Sequence, residues 1–250
     1  MKVVIFKYQN ERRLHNMKIE IGLELNQCEL NLDYRRLFLS FIKSLLESEK
    51  EDVYEYYYDK NFNRAKNFTF WVKMMKPEFT DNCIKLQSNM VTLCISSSDI
   101  RFLTYIFNAA IKRKNTSYPI VNNGRMIVKK VKSFNTKTIK EEEIIVSMTS
   151  PLVSRFHEAG KKDMYYLYNE ERFEENIKNN VIRKYGNIGN SFFIEPVKGK
   201  KVIIKSFGTK IPSSLGIYKL KGDVNLLNEL YLNGLSSKNG AGFGKFEIIG

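Results

Sequence analysis

The order in which apolar periodicity changes along the chain constrains its fold more than any single residue does. Lys18 to Leu30 alternates, with Ile19, Ile21, Leu23 and Leu25 on one side, which is the period-two signature of a strand. Leu37, Phe38, Phe41, Ile42, Leu45 and Leu46 then recur at three- and four-residue spacing, so a helix is expected to about Glu49, with Asn31 or Asp33 as its cap. Residues 50–67 read as a polar, tyrosine-rich connection. Phe68–Met75 and Cys83–Ile95 read as strands joined by a turn containing Pro77 and Asp81. Ser96–Ser98 and Asp99 cap a helix to about Lys114, and Met126–Val131 is the next strand.

The pattern β-α-β-β-α-β then begins again. Glu143–Met148 is a strand and Asn169–Tyr185 a helix; Phe192–Ile194, Val202–Phe207 and Ile217–Leu220 are further strands. Asp223 caps a helix at Leu226–Leu232, and Phe246–Gly250 closes the chain as a strand. The order predicts an α+β chain of two tandem ferredoxin-like, RRM-like βαββαβ domains, 1–137 and 138–250, divided near the lysine-rich segment Ser133–Lys140. The start, MKVVIFKYQNERR, reads as a strand rather than a leader peptide.

Charge narrows the partner. The 41 Lys and Arg against 27 Asp and Glu give +14. The basic residues are also segregated: Arg101–Lys140 holds ten and no acid, and Val197–Lys221 holds seven lysines and no acid. A polyanion is the expected partner, nucleic acid first and an anionic membrane surface second. No apolar run approaches the roughly 20 residues of a membrane span, so no membrane and a cytoplasmic location are expected. Cys28, Cys83 and Cys94 lack paired spacing and are expected to be reduced. No His/Cys/Asp cluster has ligand spacing, so neither metal nor cofactor is expected.

Four glycines, Gly234, Gly240, Gly242 and Gly244, fall within eleven positions of GLSSKNGAGFG, just before the final strand. Glycine lets backbone amides approach a ligand closely, and Lys238 and Lys245 stand beside them. The stretch reads either as a phosphate cradle or as a mobile turn before the strand. Lys129, Lys130 and Lys132 form one basic cluster. Lys198, Lys200, Lys201, Lys205 and Lys210 form another, with Phe207 and Tyr218 available to stack on bases.

GLSSKNGAGFG before the terminal strand, SPLVSR (Ser150–Arg155) after a strand, and FTF (Phe68–Phe70) after a long helix occur in an order that resembles CRISPR-associated endoribonucleases. These are the enzymes of Cas family six, which process repeat RNA (pre-crRNA) into guide RNAs. The resemblance spans essentially the whole chain. It implies CRISPR repeat RNA and crRNA as partners, other subunits of a CRISPR effector complex as candidate partners, and a monomer or homodimer. It also implies metal-independent cleavage in which a ribose 2′-hydroxyl attacks the adjacent phosphorus, leaving a 2′,3′-cyclic phosphate and a 5′-hydroxyl.

The family usually places a histidine before the FTF-like strand, and this sequence has none there. In EYYYDKNFNRAKNFTF, Tyr58 falls closest to that position and Lys66 matches a lysine often found before the strand, with Tyr56, Tyr57, Lys60 and Arg64 nearby. Tyr58, Lys66, Tyr56 and Lys60 are therefore the candidate catalytic residues, Lys66 acting on the phosphorane and Tyr58 orienting the nucleophile or donating a proton. Unperturbed phenol and ammonium groups titrate near 10, so neither is a ready base at neutral pH. The three tyrosines read equally as packing or stacking residues. His15 and His157 read as surface or structural histidines, or as RNA contacts. A catalytically weak or inactive RNA-binding protein of the same fold is the alternative.

Overall fold

A computed structural model describes residues 17–49, 51–58, 66–120 and 124–250. The expected N-terminal strand, His15, Lys60 and Arg64 lie outside the described residues. In chain order the first unit contains strands Met17–Leu25 (β1) and Glu29–Asn31 (β2) and helices Tyr34–Glu47 (α1) and Glu51–Tyr58 (α2). Strands Phe68–Lys73 (β3), Glu78–Phe79 (β4), Cys83–Lys85 (β5) and Met90–Ser97 (β6) follow, then helix Ile100–Lys112 (α3) and strands Ser117–Ile120 (β7) and Gly124–Asn135 (β8). Its main sheet is antiparallel in the order β3-β6-β1-β8-β7. Without the added edge strand β7, that is the ferredoxin-like order.

The second unit comprises strands Glu143–Met148 (β9), Ser154–Phe156 (β10) and Met164–Tyr166 (β11), and helix Phe173–Tyr185 (α4). Strands Phe193–Ser206 (β12) and Thr209–Lys221 (β13), helix Val224–Asn233 (α5) and strand Phe246–Ile248 (β14) complete it. Its sheet runs β12-β13-β9-β14, the same topology again. The α+β double ferredoxin-like fold read from the element order is the one observed.

Each sheet buries one face beneath its helices. Ile19, Ile21, Leu23 and Leu25 of β1 meet Phe38, Phe41 and Leu45 of α1 and Phe102, Leu103 and Ile106 of α3 in one core. Burial of such a side chain contributes about 1.5–3 kcal/mol. A second core joins Val146 and Tyr218 to Phe173, Ile177, Leu227 and Phe246. Ile139 already belongs to this second core, and its amide donates to Asn228 Oδ1 at 3.0 Å. The caps read at Asp99 and Asp223 are present: each carboxylate accepts two amides of the first helical turn. Asp33 precedes α1 without a side-chain cap.

Several boundaries differ from the sequence reading for physical reasons. The strand expected over Lys18–Leu30 breaks at Asn26–Cys28, and that over Cys83–Ile95 breaks at Leu86–Asn89. The two breaks fall side by side, so β2 and β5 leave the main sheet together and pair in a small one with β4. The polar connection contains α2, whose Val53, Tyr54, Tyr57 and Tyr58 pack on the first core; polar phenols disguised a helical face. The short strands near Val202 and Ile217 belong to one long hairpin, β12–β13. Only Ile217–Lys221 of β13 pairs with β9. Beyond it the hairpin continues as a ribbon whose Ile211 packs on Val153 and Phe243 and whose Ser214 bridges to Leu152, with the β12 lysines exposed.

Candidate nucleic-acid interface

The two units meet along β3 and the glycine-rich stretch. Asn239 Nδ2 donates to the carbonyls of Lys66 (2.7 Å), Phe68 (3.1 Å) and Asn233 (2.8 Å). Thr69 Oγ1 donates to the Phe243 carbonyl at 3.2 Å, and Ser96 Oγ to that of Leu232 at 2.7 Å. The buried Arg35 guanidinium lies 4.7 Å from the Phe243 ring and donates to the Gly242 carbonyl. Thus GLSSKNGAGFG is a wedge between the units, and the mobile-turn reading does not hold.

Half of the expected cradle is consumed by this packing. Gly242 has φ +82°, and a Cβ there would lie 2.8 Å from the Phe70 ring. Gly244 has φ +77°, and its Cβ would lie 2.4 Å from the Leu235 carbonyl oxygen. Both glycines are buried against protein, which corrects their assignment to RNA. Lys245 is corrected too. Its side chain is buried, Nζ donates to the Tyr231 carbonyl at 2.6 Å and lies 4.0 Å from the Tyr231 ring centre, and burial lowers its pKa to about 7. Such a group does not meet a phosphate.

The other half opens on a groove of about 660 Å³ between the units. Gly234, Lys238 and Gly240 line it from the wedge, and Lys43, Tyr58 and Lys66 from the first unit. Arg155, His157, Arg183 and Lys184 enter from β10–β11 and α4, and Phe207 from the hairpin tip. No carboxylate lies among the described residues that line it. Asp163, behind the lining, pairs with Arg155 at 3.1 Å, and the remaining cations still outnumber it, so the concave surface concentrates positive potential where an anion can enter.

Lys66 is held from two sides. Its carbonyl accepts Asn239 Nδ2 and, at 3.0 Å, Lys184 Nζ; its own ammonium donates to the Tyr57 carbonyl. The Lys66 and Lys43 ammoniums each lie 4.6 Å from the centre of the Tyr58 ring, a cation–π arrangement. The Tyr58 hydroxyl is buried without a hydrogen-bond partner among the described residues, and burial raises its pKa well above the ordinary phenol. That corrects Tyr58 as a proton-transfer residue: its ring positions lysines. Tyr56 is exposed and faces Arg101, with ring centre and guanidinium 5.7 Å apart, in a separate small hollow.

The remaining lysines lie elsewhere. Lys129, Lys130 and Lys132 are exposed on β8, with Lys129 paired to Glu24 at 3.2 Å, and none lines the groove. Lys198, Lys200, Lys201 and Lys205 are exposed along the ribbon. Tyr218 is fully buried and cannot stack on a base, whereas the Phe207 ring is about half exposed at the ribbon tip.

Three groups escaped the sequence reading. Arg155 sits inside SPLVSR but was read only as part of that element. Lys184 follows the apolar face of α4, and burial lowers its pKa to about 8. Asp163 accepts from Arg155 and from His157. The signal for the last was present in HEAGKKD, a Gly-containing turn between short strands that brings His157 opposite Asp163.

Residues 134–248 match the family model described as CRISPR associated protein Cas6, C-terminal. These residues belong to the Cas6 family. The resemblance read from the glycine-rich stretch and SPLVSR is thereby borne out, since both lie within the matched Cas6 span. Solved structures extend the likeness of fold over both units. The product of a Cas6-related gene from Pyrococcus furiosus superposes with a TM-score of 0.79 at 24% identity, covering 94% of this chain and 98% of that one. An RAMP protein binding different RNA substrates gives 0.78 at 23%, covering 94% and 100%. A CRISPR associated protein Cas6 gives 0.72 at 23%, covering 94% and 100%. A search of the curated proteins found no match. Among the described residues, no group of three or more His, Cys, Asp or Glu side chains is placed to hold a metal ion, and no helix is long and apolar enough to cross a membrane.

Proposed function

We propose that the chain binds CRISPR repeat RNA across its two units, 1–137 and 138–250, and cuts it into guide RNAs without a metal ion. The observation that carries this reading is the convergence of three separated sequence elements on one cationic groove. The wedge supplies Lys238 and Gly240, SPLVSR supplies Arg155, and the segment before FTF supplies Lys66. Structures of similar fold include an RNA-binding RAMP protein and Cas6.

In this reading the scissile phosphate lies among Lys66, Lys184 and Lys238. The ribose 2′-oxygen attacks phosphorus, the bond to the 5′-oxygen breaks, and a 2′,3′-cyclic phosphate and a 5′-hydroxyl remain. Lys66 stabilises the additional negative charge of the phosphorane, an effect that grows in a partly dehydrated groove. Lys184, its pKa lowered by burial to about 8, is suited to donate the proton that the departing 5′-oxygen needs near neutral pH. The exposed lysines of β8 and of the ribbon extend the anion-binding surface away from the cut.

Incubation of labelled repeat RNA in EDTA tests the reading. One defined cut is expected, and replacing the 2′-hydroxyl before the scissile phosphate with hydrogen should abolish it. An RNA shifted but intact under all conditions would instead favour a binding protein of the same fold, a reading that the buried Tyr58 hydroxyl supports. RNA affinity should fall steeply with salt, because each phosphate contact releases counterions.

A further inference from the structure

The cleavage proposed above lacks a base for the 2′-hydroxyl. Tyr58 is unsuited, and the lysines of the groove serve better as cations. The hairpin β10–β11 supplies another group. Its register pairs Arg155 with Tyr165 and Phe156 with Met164, so the next position across the turn sets His157 opposite Asp163. His157 Nδ1 lies 2.8 Å from Asp163 Oδ1. Asp163 Oδ2 accepts from Arg155 Nη1 at 3.1 Å and from the Tyr165 hydroxyl at 3.4 Å, so both carboxylate oxygens are engaged.

The hairpin is itself anchored to α4. Asn176 Nδ2 donates to Ser154 Oγ at 2.6 Å, and Asn180 Nδ2 to the Arg155 carbonyl at 3.3 Å. The imidazole, about half exposed, lines the same groove as Lys66, Lys184 and Lys238. A carboxylate on Nδ1 favours the tautomer with its proton there and leaves the Nε2 lone pair as acceptor.

We propose that His157, oriented by Asp163, is the general base of the RNA cleavage, which makes it a catalytic residue supplied by the C-terminal unit. Nε2 takes the proton of the 2′-hydroxyl as the 2′-oxygen–phosphorus bond forms. The phosphorus–5′-oxygen bond breaks, and the leaving oxygen takes a proton from the Lys184 ammonium. Solvent returns His157 and Lys184 to their starting states. The charged and titratable groups around the imidazole are Asp163, Arg155, Tyr165 and Lys238; Arg155 and Lys238 line the groove, and Asp163 and Tyr165 stand behind it. The inference rests on the cleavage reading, and the experiment separates their failures.

The full chain is mixed in excess with 5′-labelled CRISPR repeat RNAs of its host, and single-turnover cleavage is followed beside affinity by fluorescence anisotropy. H157A is expected to lose about 100-fold or more in rate with affinity within about twofold, the scale of a lost general base. Added imidazole should restore part of the H157A rate, which a structural role would not allow. D163N should show a smaller loss without changing affinity. If wild type cuts and H157A cuts within about threefold of it, or if rate and affinity fall together without imidazole rescue, His157 is not the base and the cleavage reading stands. If wild type binds RNA and never cuts, the cleavage reading falls and this inference falls with it.

Discussion

Gly234–Gly240 and Gly242–Lys245 are two halves of one glycine-rich stretch, each containing two glycines and a lysine, and they do opposite work. The first half lines the groove through Gly240 and the half-buried Lys238, while its Gly234 and Asn239 are buried against β3. The second is swallowed by the interface, its glycines pressed on Phe70 and Leu235 and its lysine enclosed under Tyr231 and Trp71. Composition alone therefore does not distinguish a nucleic-acid contact from an inter-unit joint. What decides is whether each side chain or glycine turns to the groove or to the protein packed around it.

The largest expected effect separates the two lysines by pH. Burial holds Lys245 at about 7 in the folded chain against about 10.4 when unfolded. Above the unfolded value both states are neutral. As pH falls through this window the unfolded chain takes up the proton first, so the folded state loses stability until about pH 7 and no further. Wild type should therefore gain on K245M as pH rises from 7 to 10.4. At ~1.4 kcal/mol per tenfold change in proton affinity, the difference amounts to about 4 kcal/mol. Urea denaturation of both proteins across the range measures it, and a constant difference would show that Lys245 is hydrated. K238M should show a shallower slope of the same sign, because partial desolvation lowers the pKa of the half-buried Lys238 ammonium.

Next in size is the contrast between glycines. G244A combines a left-handed φ with a Cβ set 2.4 Å from a backbone oxygen, so about 3 kcal/mol should be lost, seen as a fall of roughly 10 °C in Tm. G240A meets the root of the Lys66 side chain, Cγ at 2.8 Å and Cβ at 2.9 Å, but no backbone oxygen and no left-handed φ. Its Tm should fall less than that of G244A, while the cleavage rate falls as the Lys66 ammonium is displaced. Equal losses of stability in the two variants would erase the division drawn here.

The same division explains what was legible beforehand. Local rules sufficed wherever cause and effect lie close in sequence: Asp99 and Asp223 cap the helices that follow them, and β1 alternates because one face is buried. The double β-α-β-β-α-β order followed from such signals. The fate of Gly242 and Lys245 did not, because Phe70 and Trp71 approach them from more than 170 positions away. Helix α2 was hidden for another reason. Its packing face is made of tyrosines, which are apolar in their rings and polar on any scale that counts their hydroxyls. His157 fell between these cases, with its partner six residues away but the groove it faces assembled by distant elements.

A third measurement asks whether Lys238 does what Lys245 does not. K238M should reduce the slope of log affinity against log salt by about one unit, the signature of one lost phosphate contact, whereas K245M should leave it unchanged. Parallel slopes for K238M and wild type would place RNA away from the wedge and towards the ribbon lysines.

The smallest effect concerns the ribbon tip, whose Phe207 lines the groove. Phe207 and Gly208 form the two-residue loop between β12 and β13 with φ of +51° and +76°. Positive φ at both positions suits Asn-Gly, and a phenylalanine held there costs about 1 kcal/mol. Its ring gains only partial burial in return, being about half exposed on the groove. The Gly208 amide meanwhile donates to Asp33 Oδ2 at 3.0 Å, fixing the tip to the first unit. Strain with so little packing is expected where a ring serves a ligand, here by stacking on an unpaired base. F207N should therefore stabilise the protein by about 1 kcal/mol and raise Tm by roughly 3 °C, while weakening RNA binding about fivefold. Loss of both stability and affinity would instead make the ring a packing element, and the groove would then take its specificity from the wedge side alone.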